Sequence, residues 1–78
     1  MAFYIEMDKI EETDEYVEYA FGRNPEFGLI RLDKKNETVR VLKECSLDIS
    51  GKWSQRAAVK LVRLWRSGSL PEKTQWAS

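Results

Sequence analysis

Seventy-eight residues are one domain's worth of chain, near the size at which folding buries only about 60% of the extended-chain surface, so a single domain over residues 1–78 is expected. A composition of 42% hydrophobic, 12% aromatic and 33% charged residues holds enough apolar mass to close a small core, which excludes a disordered chain. The 13 basic and 13 acidic side chains cancel, so no overall charge points to nucleic acid or an anionic membrane as partner.

The chain has no histidine, which removes Ser-His-Asp triads, Cys-His pairs and most zinc sites. Cys45 is alone and has no partner for an internal disulfide, which fits a reducing compartment. The N-terminus turns acidic at Glu6 and Asp8 without a basic region or a long apolar run, so no signal peptide is expected. No stretch reaches the length of a membrane span, and a soluble, cytoplasmic protein is the expectation.

Phe3, Ile5 and Met7 alternate with Tyr4, Glu6 and Asp8, the period of two of a first strand with one apolar face. Lys9 to Glu15 is almost wholly charged. From Tyr16 to Phe21 the period returns, with Val17, Tyr19 and Phe21 on one face and Tyr16, Glu18 and Ala20 on the other. A helix fits the same region in a second reading: Asp8 as N-cap with Glu11 three residues on forms a capping box, and Ile10, Val17 and Phe21 share a helical face up to Gly22. The aromatic and β-branched cluster before the glycine favours the strand.

Gly22-Arg23-Asn24-Pro25 is turn chemistry, because proline fixes its own φ and pushes Asn24 out of the helical region. Ile30 and Leu32 alternate with Arg31 and Asp33, Lys34-Lys35-Asn36-Glu37 forms a polar tip, and Val39 and Val41 continue the pattern. The spacing predicts a hairpin of strands three and four, with Asn36 suited to a left-handed conformation. Cys45 to Lys52, with Asp48, Ser50 and Gly51, reads as the crossover to a helix.

The spacing of Ala57, Ala58, Leu61, Val62, Leu64 and Trp65 predicts an amphipathic helix over residues 54–67. Ser54 serves as N-cap, Trp53 as a staple onto Ala58, Gly68 closes the C-terminus and Pro71 prevents continuation. Leu70 and Trp76 are expected to fold back on the core, leaving Glu72, Lys73 and Thr74 in water. The fold class is therefore α+β: a three- to four-stranded antiparallel sheet with one C-terminal amphipathic helix packed on one face.

Charge is segregated along the chain. Residues 1–27 carry eight acids against two bases, a net of −6, and residues 51–78 carry six bases against one acid, a net of +5. Opposed acidic and basic patches on a body without a reaction centre are the expected surface. Glu11, Glu12, Asp14, Glu15 and Glu18, interleaved with Tyr16 and Tyr19 and near Tyr4, combine long-range steering with aromatic anchors and form the candidate protein-binding surface. Lys52, Arg56, Lys60, Arg63 and Arg66 recur at one-turn spacing on the helix face opposite Leu61 and Trp65. They form an alternative surface that tracks a nucleic-acid backbone, or else a solvated outer face.

Paired acids such as Glu11 with Asp14 or Glu15 need a cleft to shift their pKa values before they do acid–base work, and a chain of this size has little room for one. No catalytic residue, metal site or cofactor is expected. Cys45 lacks a base and reads as a small hydrophobe at a strand end; Trp53, Trp65 and Trp76 read as core and tail-docking residues.

Three segments resemble the small cytoplasmic immunity proteins encoded beside bacterial polymorphic toxins: Tyr19-Ala20-Phe21-Gly22-Arg23-Asn24-Pro25, the hairpin Gly28-Leu29-Ile30-Arg31-Leu32-Asp33-Lys34-Lys35, and the helix and tail from Arg56-Ala57-Ala58-Val59-Lys60-Leu61 to Gly68-Ser69-Leu70-Pro71-Glu72-Lys73-Thr74-Gln75-Trp76-Ala77-Ser78. The resemblance is one of pattern, and such proteins share no catalytic residues to carry over. It implies tight stoichiometric binding of a toxin, often a nuclease, that blocks its active site or an adjacent surface. The acidic block favours a basic toxin domain as the protein partner, no membrane partner is expected, and a monomer or weak dimer is the expected state. The even charge balance departs from the acidic character common among nuclease inhibitors.

Overall fold

The computed structural model of this chain describes residues 4–23, 25–46, 48 and 51–77. Five strands and one helix follow in the order β1 (Tyr4–Glu12), β2 (Tyr16–Arg23), β3 (Glu26–Asp33), β4 (Thr38–Lys43), α1 (Lys52–Ser67) and β5 (Lys73–Ala77). All neighbours in the sheet are antiparallel, in the order β4-β3-β2-β1-β5. The first four strands form a meander, and α1 then crosses one face of the sheet and returns the chain to the far edge. The α+β class holds, with five strands rather than three or four.

The extra strand is β5. Its sequence, Lys73-Thr74-Gln75-Trp76-Ala77, has one large apolar side chain and no alternation to announce it; backbone pairing with β1, from Tyr4↔Ala77 to Asp8↔Lys73, makes it a strand. Leu70 and Trp76 do pack against the core, as expected for the tail.

The helical reading of residues 8–21 is overturned. β1 runs to Glu12 with a register shift between Lys9 and Glu11 that leaves Ile10 57% exposed at a bulge. Thr13 then reverses the chain, its hydroxyl accepting the backbone N–H groups of Glu15 and Tyr16, each at 3.1 Å. Val17, Tyr19 and Phe21 are all fully buried on alternate positions, which a helix does not allow on one face.

The β2–β3 connection is a tight hairpin closing at Arg23↔Glu26; Asn24, like Phe3 and Ser50, lies outside the described residues. A Cβ on Gly28 would stand 2.5 Å from the Lys43 carbonyl and 2.7 Å from the Phe21 ring, so only glycine lets these segments meet. In the β3–β4 turn the left-handed residue is Glu37, φ 54, not Asn36. The Asp33 carboxylate accepts the backbone N–H of Lys35 (2.8 Å) and Asn36 (3.2 Å) and the Asn36 amide, which commits Asn36 to the turn's interior. The same two backbone N–H groups hold the Asp33 carboxyl below its ordinary pKa.

α1 starts two residues before the expected Ser54. Asp48 caps it from the preceding loop, its carboxylate accepting the Trp53 and Ser54 N–H groups at 3.1 and 3.0 Å, while the Ser54 hydroxyl donates to the Gly51 carbonyl. Trp53 therefore sits in the first turn, not ahead of it as a staple, and packs against the core. At the other end Gly68 (φ 85) donates to the Trp65 carbonyl and Ser69 to that of Leu64, the paired bonds of a Schellman cap.

Ala57 and Leu61 are buried on Ile5, Met7, Val17, Tyr19, Phe21, Ile30 and Leu32, and Trp65 and Val62 pack beside them. Cys45 is buried as expected, within reach of the Glu26 carbonyl at 3.5 Å. α1 touches all five strands on this face. Among the described residues no element covers the other face, and that face carries the candidate site.

Candidate protein-binding surface

Strand register decides which charged residues meet on the open face. Glu11, Glu18, Arg31 and Arg40 stand opposite one another across β1, β2, β3 and β4, and Tyr16, Asp33 and Thr38 form the neighbouring row. The Tyr16 hydroxyl donates to Glu11 at 2.6 Å. The Arg31 guanidinium lies 4.2 Å from the centre of the Tyr16 ring, and its Nε donates to Glu18 at 2.7 Å, with a second nitrogen completing the ion pair. Four side chains thus hold one another in fixed positions. The hydrogen bond to Glu11 raises the Tyr16 pKa, so the ring stays a neutral donor, and Glu18 raises that of Arg31.

The other expected residues fall elsewhere. The bulge in β1 changes parity, so Glu12 stands opposite the buried Val17, on the helix side of the sheet, and accepts Lys9 (2.8 Å) and Lys34 (2.9 Å). Those two hydrogen bonds hold its carboxyl below the ordinary value. Asp14 and Glu15 are exposed at the β1–β2 turn, with Glu15 4.0 Å from Lys35. Tyr19 is fully buried, its hydroxyl donating to the Pro71 carbonyl, and burial pushes its pKa up to about 12. It is a core residue and leaves the proposed surface; its place in the alternating set with Val17 and Phe21 had already put it inward. The Tyr4 side chain lies outside what is described.

Arg31 is the residue that sequence reasoning did not single out. The signal was its polar position between Ile30 and Leu32, but only the pairing of β3 with β2 places it on Tyr16. The expectation that the acidic and basic segments form separate, opposed patches is corrected at the acidic end: Arg31, Lys34 and Lys35 of the middle hairpin answer Glu18, Glu12 and Glu15.

The helix cations are divided. Arg66 donates to Glu37 at 3.2 Å, Arg56 stacks 5.1 Å from the centre of the Trp76 ring, and Lys52, Lys60 and Arg63 have no ion-pair partner among the described residues. Arg56 leans toward β5 and Arg66 toward the β3–β4 turn, so they do not form one stripe. No helix among the described residues is long and apolar enough to cross a membrane. No known protein family, curated protein or solved structure matches this chain.

Proposed function

We propose that this chain is a non-enzymatic protein-binding module that recognises its partner through the open sheet face around Tyr16 and Arg31, and that it acts as an immunity protein neutralising a toxin domain. The preordered Glu11–Tyr16–Arg31–Glu18 cluster carries this reading. Tyrosine and arginine are the residue types that dominate interface energetics, and side chains already locked by their neighbours lose little conformational freedom on binding. Asp14 at the adjoining turn, exposed and without an ion-pair partner among the described residues, supplies charge that steers a basic partner. The toxin-neutralising role rests on the pattern resemblance of the β2–β3 segment, the β3–β4 hairpin and the helix with its tail.

Co-expression with the protein encoded beside this chain's gene tests it. Growth inhibition by that protein is relieved by this chain and not by its Tyr16→Ala/Arg31→Ala variant; equal relief by both, or none by either, contradicts the proposal. A second reading, nucleic-acid binding by α1, draws on Lys52, Lys60 and Arg63, which have no ion-pair partner among the described residues. It has less support, because Arg66 is engaged with Glu37 and the exposed Val59 lies among the cations.

A further inference from the structure

β4 is the outer strand of the sheet, so one row of its backbone N–H and C=O groups faces away from β3. Of its six residues only Val39 is even half-buried, and Val41 and Leu42 are 41% and 42% exposed. Val41 stands opposite Ile30, which is buried beneath α1, so Val41 projects to the helix side of the sheet.

On the flank of α1 a shallow open groove is lined by Ala58, Val59, Val62, Arg63 and Arg66. Arg66 reaches Glu37 at the start of β4, which places the groove on the β4 side of the helix. Val59 is 43% exposed there. An apolar strip on α1 therefore lies toward a strand edge that has no backbone partner among the described residues.

Within β4 and α1 themselves the charges have one sign, while Glu37 and Glu44 flank β4 and Glu37 is taken up by Arg66. Between Thr38 and Lys43 the charged residues are Arg40 and Lys43, and α1 has five bases and no acid from Lys52 to Ser67. Arg40, Lys43 and Arg63 have no ion-pair partner among the described residues. Arg40 stands opposite Arg31 and projects to the open face, away from the groove.

We propose that the β4 edge and the α1 flank beside it dock an acidic, aliphatic strand of a partner protein. Strand addition supplies backbone hydrogen bonds over Thr38–Val41, and the bulge at Leu42, where Lys43 and Val41 pair with consecutive residues of β3, ends the ladder. Alternate side chains of the added strand divide between the two faces: aliphatic groups meet Val41, Val59 and Val62, and carboxylates meet Arg40 on the other side. A second copy of β4 is a poor occupant, since antiparallel self-pairing sets Arg40 and Lys43 of both chains on one short ladder. A nucleic-acid strand offers the negative charge without the aliphatic groups. This docking edge shares only Arg40 with the open face described above, and its groove and backbone edge do not depend on Tyr16 or Arg31.

The test is a titration of the full chain with a synthetic peptide alternating valine and glutamate, followed by backbone amide resonances. Saturable shifts are expected at Thr38–Val41 and at Val59 and Val62, with affinity reduced about tenfold in Arg63→Glu and in Val41→Glu, both at exposed positions. A peptide alternating valine and lysine is expected not to bind. The proposal is overturned by an absence of saturable binding, by shifts on another face, or by equal affinity in variants whose circular dichroism matches the parent. Displacement of the peptide by single-stranded DNA at equal affinity overturns it too, as does a light-scattering dimer that Val41→Glu dissolves.

Discussion

Tyr19 shows how one hydroxyl is accommodated in an apolar core. It is fully buried, and its single donor is answered by the Pro71 carbonyl, which ties the segment after α1 to the middle of β2. Because burial raises its pKa from 10.0 to about 12, the folded state holds the phenol proton more tightly than the unfolded chain does. The resulting stability is intact below pH 10 and drains away as pH climbs toward about 12. Tyr19→Phe leaves the Pro71 carbonyl without its donor and costs about 1 kcal/mol near neutrality. It also flattens the alkaline decline. Urea unfolding at neutral and alkaline pH reads both; an alkaline decline as steep in the variant as in the parent assigns that titration to another group.

Among the secondary elements, α1 and β5 mark the two limits of what sequence pattern reveals. The apolar stripe through Ala57, Leu61 and Trp65 and the Gly68 terminus were legible, because a packed face and a left-handed cap each demand particular residue types at fixed spacing. The start of α1 was not, because its cap is Asp48, a residue outside the helix brought near by the loop; the nearer Ser54 was the local candidate and in fact bonds Gly51. Asp48→Ala is therefore expected to destabilise the protein by about 1 kcal/mol and Ser54→Ala by less. Thermal melts rank the pair, and the reverse order contradicts the assignment. β5 was invisible for a related reason: its partner is the backbone of β1, and backbone pairing leaves no mark in side-chain pattern. Strand alternation splits what the sequence presents as one acidic run, and the bulge at Ile10 hid the outcome by exchanging the faces that Glu11 and Glu12 take.

At the scale of the whole molecule, folding answers part of the acidic segment and leaves Lys52, Lys60 and Arg63 of α1 without an ion-pair partner among the described residues. The acids of the first third meet bases of the middle hairpin, and exposed pairs such as Glu15 with Lys35 add little to stability while cancelling field. What is left is a five-stranded sheet with the helix on one side and, on the other, a flat face whose Tyr16 and Arg31 are fixed by Glu11 and Glu18. If that face recognises the partner, the equilibrium affinity of the proposed toxin partner differs between the parent chain and Tyr16→Ala. A loss of about 2 kcal/mol or more, roughly thirtyfold in Kd, is expected with the fold intact by circular dichroism. An unchanged Kd in a folded Tyr16→Ala protein contradicts the claim.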